Sequence, residues 1–114
     1  MTKNARFRAS FRSSSKWKSW RKHLKARKVD ELTQKPLRAG WQAHHLDLDI
    51  EHYTELREEV FSTLNRNSHF IVHEMYRYYC KDKGIIERLR VILDRMCEIN
   101  RKKEEQLKLF GEES

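Results

Sequence analysis

Four of the six histidines stand at spacings that suit metal binding and proton transfer. His44 and His45 are adjacent in GWQAHHLDLD, and His69 and His73 are four residues apart in LNRNSHFIVH. Hydrolysis of a phosphodiester needs a base that activates water and a cation that stabilises charge developing on the phosphate. A neutral imidazole can act as the base, and two or three imidazoles can bind the cation. These residues therefore predict a metal-assisted hydrolytic site.

Two kinds of element would have to bring these histidines together. His69 and His73 lie on one face if their segment is helical, since residues four apart are neighbours on a helix. Adjacent residues on a regular strand point to opposite faces, so His44 and His45 could share one site only at a strand end or a bulge. We expect a strand at about 41–46 and a helix from about residue 64, with its cap at residue 67 or 68.

The remaining pattern predicts one small domain with extensions. Trp17, Trp20 and Leu24 recur at helical spacing, which indicates a basic amphipathic helix whose aromatic stripe belongs to the core rather than to a nucleobase platform. Residues 47–60 predict a loop with a short helix. The expected organisation is a flexible basic arm at 1–15, the domain at 16–79, a C-terminal helix at 80–105 and a tail at 106–114.

The positive charge is concentrated at the N-terminus. The chain has 25 Lys and Arg against 17 Asp and Glu, and residues 1–28 contain eleven basic and no acidic side chains. Such a segment gains free energy by releasing counterions from a polyanion, so nucleic acid is the favoured partner and a solvated tail is the alternative. The expected DNA-binding residues are Lys16, Lys18, Arg21, Lys22, Lys25 and Arg77.

The cysteines and the hydropathy of the chain bear on the cellular compartment in which the protein would be found. Cys80 and Cys97 form no CxxC pair, which suggests a reducing compartment. No apolar run is long enough for a membrane span or a secretory signal. We therefore expect a protein of the cytoplasm of a bacterium or of a phage-infected cell, without a membrane partner.

The order of these features resembles a known family. A basic KWKSWRKHL helix, the HH pair, about two dozen intervening residues and then LNRNSHFIVH look like the HNH endonucleases, particularly the small HNH proteins of bacteriophages. The resemblance covers roughly residues 16–79. It implies an α+β fold with a ββα-metal core, in which a β-hairpin packs against a helix around one cation, accompanied here by an N-terminal basic helix and a C-terminal helix.

The resemblance also implies roles for the histidines. His45 would be the general base that activates the attacking water. His44 and His69 would be metal ligands, and His73 matches a further helical ligand of some members. The cofactor would be one divalent ion, and Mg, Mn, Ni and Zn all remain open because histidine ligation and catalysis on nucleic acid favour different metals.

The sequence departs from the family pattern at two places. The middle asparagine, which steadies the loop carrying the base, would fall near Val60, and Asn65 stands in a different relation. Many relatives also bind a structural zinc through two CxxC pairs, and short polar residues occupy the matching positions here. We expect hydrogen bonds to replace that zinc, which leaves one metal instead of two. The four polar residues are Asp30, Thr33, Asn65 and Ser68.

The C-terminal QLKLF resembles the short peptide by which bacterial replication and repair proteins bind the sliding clamp. Gln106, Leu107, Leu109 and Phe110 stand at the matching positions. An apolar pentapeptide on a charged tail suits a tethered ligand. The alternative is that Leu107 and Phe110 complete the apolar stripe of the preceding helix.

The leading hypothesis is thus a metal-dependent DNA endonuclease or nickase. One alternative is a DNA-binding protein that has the scaffold without turnover, which the valine at position 60 favours. Another is an interaction protein that uses the clamp-like peptide. Asp47 and Asp49 would either orient the paired histidines or solvate the loop, and the second is the commoner case. The oligomeric state does not follow from the sequence.

Overall fold

The computed structural model describes residues 2–109, with side-chain surroundings described as far as Arg101. Within this range the chain forms four α-helices and one antiparallel sheet of two strands, so the expected α+β class is confirmed. The elements follow one another as α1 (Lys3–Arg12), α2 (Ser15–Leu24), β1 (Gln42–His45), β2 (Phe61–Leu64), α3 (Arg66–Tyr79) and α4 (Ile85–Leu109).

The core lies between α2 and the two strands. Trp17 and Leu24, which lie on one stripe of α2, pack with Trp41 and Phe61 in a buried apolar cluster. Ser14 caps α2, because its hydroxyl accepts a hydrogen bond from the Trp17 amide at 3.2 Å. The assignment of the α2 aromatic stripe to the core is confirmed, and Trp20 packs against the same cluster.

Three expectations about local structure were wrong. Residues 3–12 form α1 instead of an arm without regular structure; Thr2 caps this helix by accepting from the Ala5 amide at 3.0 Å. Leu64 ends β2, where pairing with Gln42 overrides its helical spacing to later apolar residues. The following helix begins at residue 66, before the expected caps. Residues 47–60 are a loop with two short 3-10 turns, close to the expectation.

The described contacts divide the chain into two units, Met1–His73 and Glu74–Ser114, and α3 begins in the first and ends in the second. The first unit contains the sheet, the apolar core and four histidines, His44, His45, His69 and His73. In the second unit, the Lys83 ammonium lies 4.0 Å from the centre of the Tyr79 ring, and Arg88 pairs with Asp82. The last residues before α4 are therefore fixed locally.

Candidate metal centre

The sheet register places the adjacent histidines. In the antiparallel pair, His44 lies opposite Ser62 and His45 opposite Phe61, and the Leu46 amide closes the intervening loop on the Val60 carbonyl at 2.8 Å. As expected for a regular strand, the two imidazoles leave opposite faces of β1. His45 is the last residue of the strand, which is where the sequence allowed the pair to share a site.

The face of β1 that carries His44 meets α3. His69 and His73 are one helical turn apart, and their rings lie edge to face with the His44 ring at centroid distances of 5.0 and 4.7 Å. The centroids of His69 and His73 are themselves 4.5 Å apart. The structure therefore brings together the three histidines that were expected to be metal ligands; we call them the histidine triad.

The donor set and the spacing of the triad suit a transition-metal ion. One ring nitrogen from each of the three residues lies within 4.8 Å of the others, and the Nε2 atoms of His69 and His73 are 3.2 Å apart. Two nitrogens bound tetrahedrally at about 2.0–2.1 Å from zinc would be about 3.3 Å apart. Three protein ligands would leave a fourth position for water or substrate, which is the arrangement of catalytic rather than structural zinc sites.

Two members of the triad, His44 and His69, are held in the neutral form that can donate lone pairs. Burial lowers the pKa of His44 to about 4, assisted by the nearby charges of His73, His69 and His45. Burial, followed by the charge of His73, also lowers the pKa of His69. Because these two side chains need not lose a proton near neutral pH before binding, protons compete weakly with a metal ion for them.

His45 lies on the other face of β1, between aromatic rings. It stacks on Tyr53 with centroids 5.8 Å apart and planes 18° apart, and the Phe61 centroid is 4.6 Å away. Burial lowers its pKa, outweighing the charge of Asp47 and the backbone of His52, which raise it. At neutral pH the imidazole is therefore uncharged, as a general base must be before it accepts a proton.

The hydrogen bonds of His45 define which nitrogen is basic. Its Nδ1 accepts from the Asp47 amide at 3.2 Å, so the ring proton belongs on Nε2. Nε2 is buried, and among the described residues no group completes a hydrogen bond to it. The lone pair able to accept a proton is therefore on Nδ1, where it receives the Asp47 amide.

A cavity of about 430 Å³ lies at the end of β1 and is reached from both faces of the strand. Both His45 and the histidine triad line it. Trp17, Tyr53 and Leu48 contribute apolar wall. The cavity is also lined by three arginines, Arg8, Arg12 and Arg21.

Sequence reasoning missed Arg8 and Arg12, because the residues that carry them were assigned to an arm. The signal that could have revealed them is their spacing of four residues, repeated by Phe7 and Phe11, which places a basic and an aromatic row side by side on a helix.

No protein-family model, curated protein or solved structure matches this chain. No helix among residues 2–109 combines the length and apolar character needed to cross a bilayer.

The residues expected to bind DNA fall into two groups. Four lysines on or just after α2 are exposed and lie away from its buried stripe. They are Lys16, Lys18, Lys22 and Lys25. Arg21 instead faces the core side, where its guanidinium lies 3.9 Å from the centre of the Trp41 ring and donates to the Trp41 carbonyl. It joins the cavity wall, unlike the lysines.

Arg77 belongs to the second unit of the chain. There its guanidinium donates to the Glu74 carboxylate at 3.3 Å across one turn of α3. It is not among the residues that line the cavity.

The four polar residues that were expected to replace a structural zinc, Asp30, Thr33, Asn65 and Ser68, do come together. Asp30 has no exposed surface, and its two carboxylate oxygens accept from the Leu32 and Thr33 amides at 2.8 Å and from the Asn65 amide at 2.7 Å. Burial alone would raise the pKa of Asp30, but the Ser68 hydroxyl and these amides outweigh it and lower the pKa to about 2. Hydrogen bonds therefore connect the segment 30–33 to the segment 65–68.

Val60 stands where the family resemblance would place an asparagine. Val60 packs against the core, and its carbonyl is the group that accepts from Leu46 at the loop's base. Asn65 instead braces residues 36–38, donating to the Pro36 carbonyl at 3.0 Å and accepting from the Arg38 amide at 2.8 Å.

The two loop carboxylates do not orient the paired histidines through their oxygens. Asp47 Oδ2 lies 2.8 Å from His52 Nδ1, and this hydrogen bond raises the pKa of His52. Asp49 accepts from the Glu51 amide at 2.9 Å. The contact between Asp47 and His45 is made by the Asp47 backbone instead.

The clamp-like peptide falls at the edge of the described chain. Gln106, Leu107 and Leu109 belong to the last turns of α4, with side chains outside the described range, and Phe110 lies beyond the described residues.

Proposed function

We propose that this protein is a metal-dependent nuclease that hydrolyses phosphodiester bonds of DNA, with the histidine triad as its metal ligands and His45 as its general base. The observation that carries the proposal is the shared cavity. A neutral imidazole outside the triad and the three histidines that could bind a metal line one space that also contains arginines.

The chain's own residues supply the acid-base and anchoring steps. His44, His69 and His73 would hold a divalent cation, which polarises the phosphate and stabilises the leaving oxygen when bound. His45 accepts a proton from water through Nδ1, and Tyr53 holds its ring in position by stacking. The exposed lysines of α2 and the arginines of the cavity attract the phosphate backbone.

A non-catalytic DNA-binding protein is the second candidate. It is favoured by the state of His45, because Nδ1 already receives the Asp47 amide and Nε2 is enclosed. A protein with this geometry could retain the metal and the basic surface without rapid proton transfer.

Cleavage of supercoiled plasmid by the wild-type protein and by His45→Ala separates the two candidates. Magnesium, manganese, nickel or zinc is added after chelation. Metal-dependent nicking that falls by about 10²–10⁴-fold in the variant is the result expected of a nuclease with a general base. His23→Asn is the matched control, because His23 is exposed, pairs with Glu58 and does not line the cavity. Absence of cleavage with every ion, alongside retained DNA binding, would favour the binding protein.

The expected docking of Gln106, Leu107, Leu109 and Phe110 to a sliding clamp is a separate proposal about recruitment. It would bring the nuclease to replicating or newly made DNA. Binding through the tail is independent of the cavity, so either proposal can fail without the other.

A further inference from the structure

Helix α1 is anchored on the loop that carries the candidate base. The rings of Phe7 and Phe11 meet Tyr53 edge to face, with centroids 6.4 and 5.8 Å away. The ring centroids of Phe11 and Trp17 are 5.9 Å apart, and the Arg12 guanidinium donates to the Tyr53 hydroxyl at 3.0 Å. Because Tyr53 stacks on His45, α1 is attached directly to the wall of the metal centre.

The arginines of α1 bring charge to the cavity that the described chain does not neutralise. In the same unit, Arg27 pairs with Glu31 and Glu58, and Arg57 pairs with two neighbouring glutamates. Among residues 2–101, no carboxylate pairs with Arg8 or Arg12. Asp47 is the acidic residue in the cavity lining, and its carboxylate is engaged by His52. Unpaired cations in a cleft raise the local concentration of anionic ligands.

We propose that Arg8 and Arg12 bind a phosphate that neighbours the phosphate held at the histidine triad. This inference rests on the proposed nuclease function and specifies its substrate as a strand with at least two successive phosphates, one cleaved and one gripped. Arg8 and Arg12 lie on one face of α1, four residues apart, so both can reach a single anion.

The available donors and the size of the cavity fit this assignment. A guanidinium has five N–H donors in a fork that matches phosphate, and the bond to Tyr53 uses one donor of Arg12. A sphere with the cavity's volume is about 9 Å across, and the triad and both arginines line this one space. The triad and the arginines can therefore face adjacent phosphates of one strand.

Arg21 does not play the same part. Its guanidinium is held by the Trp41 carbonyl and ring, so it fixes the residue that precedes β1. Arg8 is the cleanest probe, because no described side chain accepts a hydrogen bond from it.

The test compares a substrate with one phosphate and a substrate with several. Bis(p-nitrophenyl) phosphate offers only the scissile group, whereas a short oligonucleotide also offers its neighbours. We expect Arg8→Gln and Arg12→Gln to lower kcat/KM on the oligonucleotide by at least about tenfold more than on the small phosphodiester. Arg12→Lys, which retains charge, should recover part of the loss.

A matched control and a modified strand sharpen the result. Arg6→Gln removes the same charge from an exposed position of α1 that does not line the cavity, and it should affect neither substrate. Replacing the phosphate beside the cleaved bond by an uncharged methylphosphonate should abolish the difference between the wild-type protein and Arg8→Gln. Equal losses on both substrates, or losses equal to those of Arg6→Gln, would overturn the assignment.

Binding to the same oligonucleotide without metal keeps the assignment testable if the wild-type protein cleaves nothing. The logarithm of the affinity falls with the logarithm of salt concentration by about 0.7 for each phosphate contact on a single strand. Arg8→Gln should reduce that slope by about one contact, and Arg6→Gln should not. Loss of turnover would then count against the proposed nuclease alone, while an unchanged slope in Arg8→Gln would refute the phosphate contact.

Discussion

His69 Nε2 lies 3.2 Å from His73 Nε2 across one turn of α3. Two neutral imidazoles at that distance satisfy each other only when one ring donates and the other accepts. A cation could instead accept both lone pairs, together with a third from His44. The pair can therefore either share an ion or form a mutual hydrogen bond, and metal titration separates the two.

We expect the chelator-treated protein to bind one zinc or nickel ion per chain. His69→Ala should weaken this binding more than about 100-fold, since removing a ligand costs more than the 10–100-fold typical of its outer-shell partners. Titration calorimetry in competition with a chelator measures the affinity, and His23→Asn is the control. A variant with all three triad histidines replaced should bind none. One ion remaining on that variant would place the metal elsewhere and contradict the single-metal expectation.

The C-terminal tail makes a prediction that needs no metal. If Leu109 and Phe110 enter an apolar pocket of a bacterial sliding clamp, then replacing both by alanine removes the anchors that give such a peptide its affinity. Pull-down by a purified clamp should be lost, and Lys108→Ala should retain it. Plasmid cleavage should survive deletion of residues 106–114. Unchanged clamp capture by the double variant would refute the docking proposal.

The sequence predicted best where short spacing determines the geometry. His69 and His73 share a face because they are four residues apart on α3, and the alternation of a strand separates His44 from His45. The Asp30 cluster was expected from the family resemblance instead, because its residues match two pairs of zinc ligands.

Long-range contacts account for what the sequence did not predict. β2 exists through its pairing with β1, so the local helical spacing of Leu64 was misleading. The α1 helix buries Phe11 against Trp17 and Tyr53, and the latter is 42 positions away. Neither partner could be identified from α1 alone, and the two arginines of the cavity were missed for the same reason.

The pair formed by Asp47 and His52 should be visible by titration. The hydrogen bond and charge of Asp47 raise the pKa of His52 above its usual 6.5. The stability that this pair contributes is therefore present below about pH 6.5 and is lost as pH rises through the pKa of the folded protein. NMR titration of the His52 ring should give a pKa above 6.5 that falls towards it in Asp47→Asn. Identical pKa values in the two proteins would rule out the pair.

Asp30 should be the most costly acidic residue to remove from the first unit. Its carboxylate satisfies three partly buried amides, and each amide left without a partner costs about 1–3 kcal/mol. Asp30→Ala should thus lower the free energy of unfolding by about 3–5 kcal/mol, measured by urea denaturation. Asp49→Ala is the control, because that exposed carboxylate caps a single short turn and should cost about 1 kcal/mol. Similar losses in both variants would contradict the role of Asp30.

The same carboxylate should make the protein sensitive to acid. Its pKa is lowered to about 2 in the folded chain, against about 3.9 in an unfolded one. The folded state therefore binds the proton more weakly, and the stabilisation is complete above about pH 4 and lost as pH falls towards 2. Urea denaturation between pH 2 and 5 should show that the free energy of unfolding of the wild-type protein exceeds that of Asp30→Asn at pH 5 and that this difference disappears towards pH 2. An advantage that persists undiminished at pH 2 would mean that the hydrogen bonds do not depend on the charge.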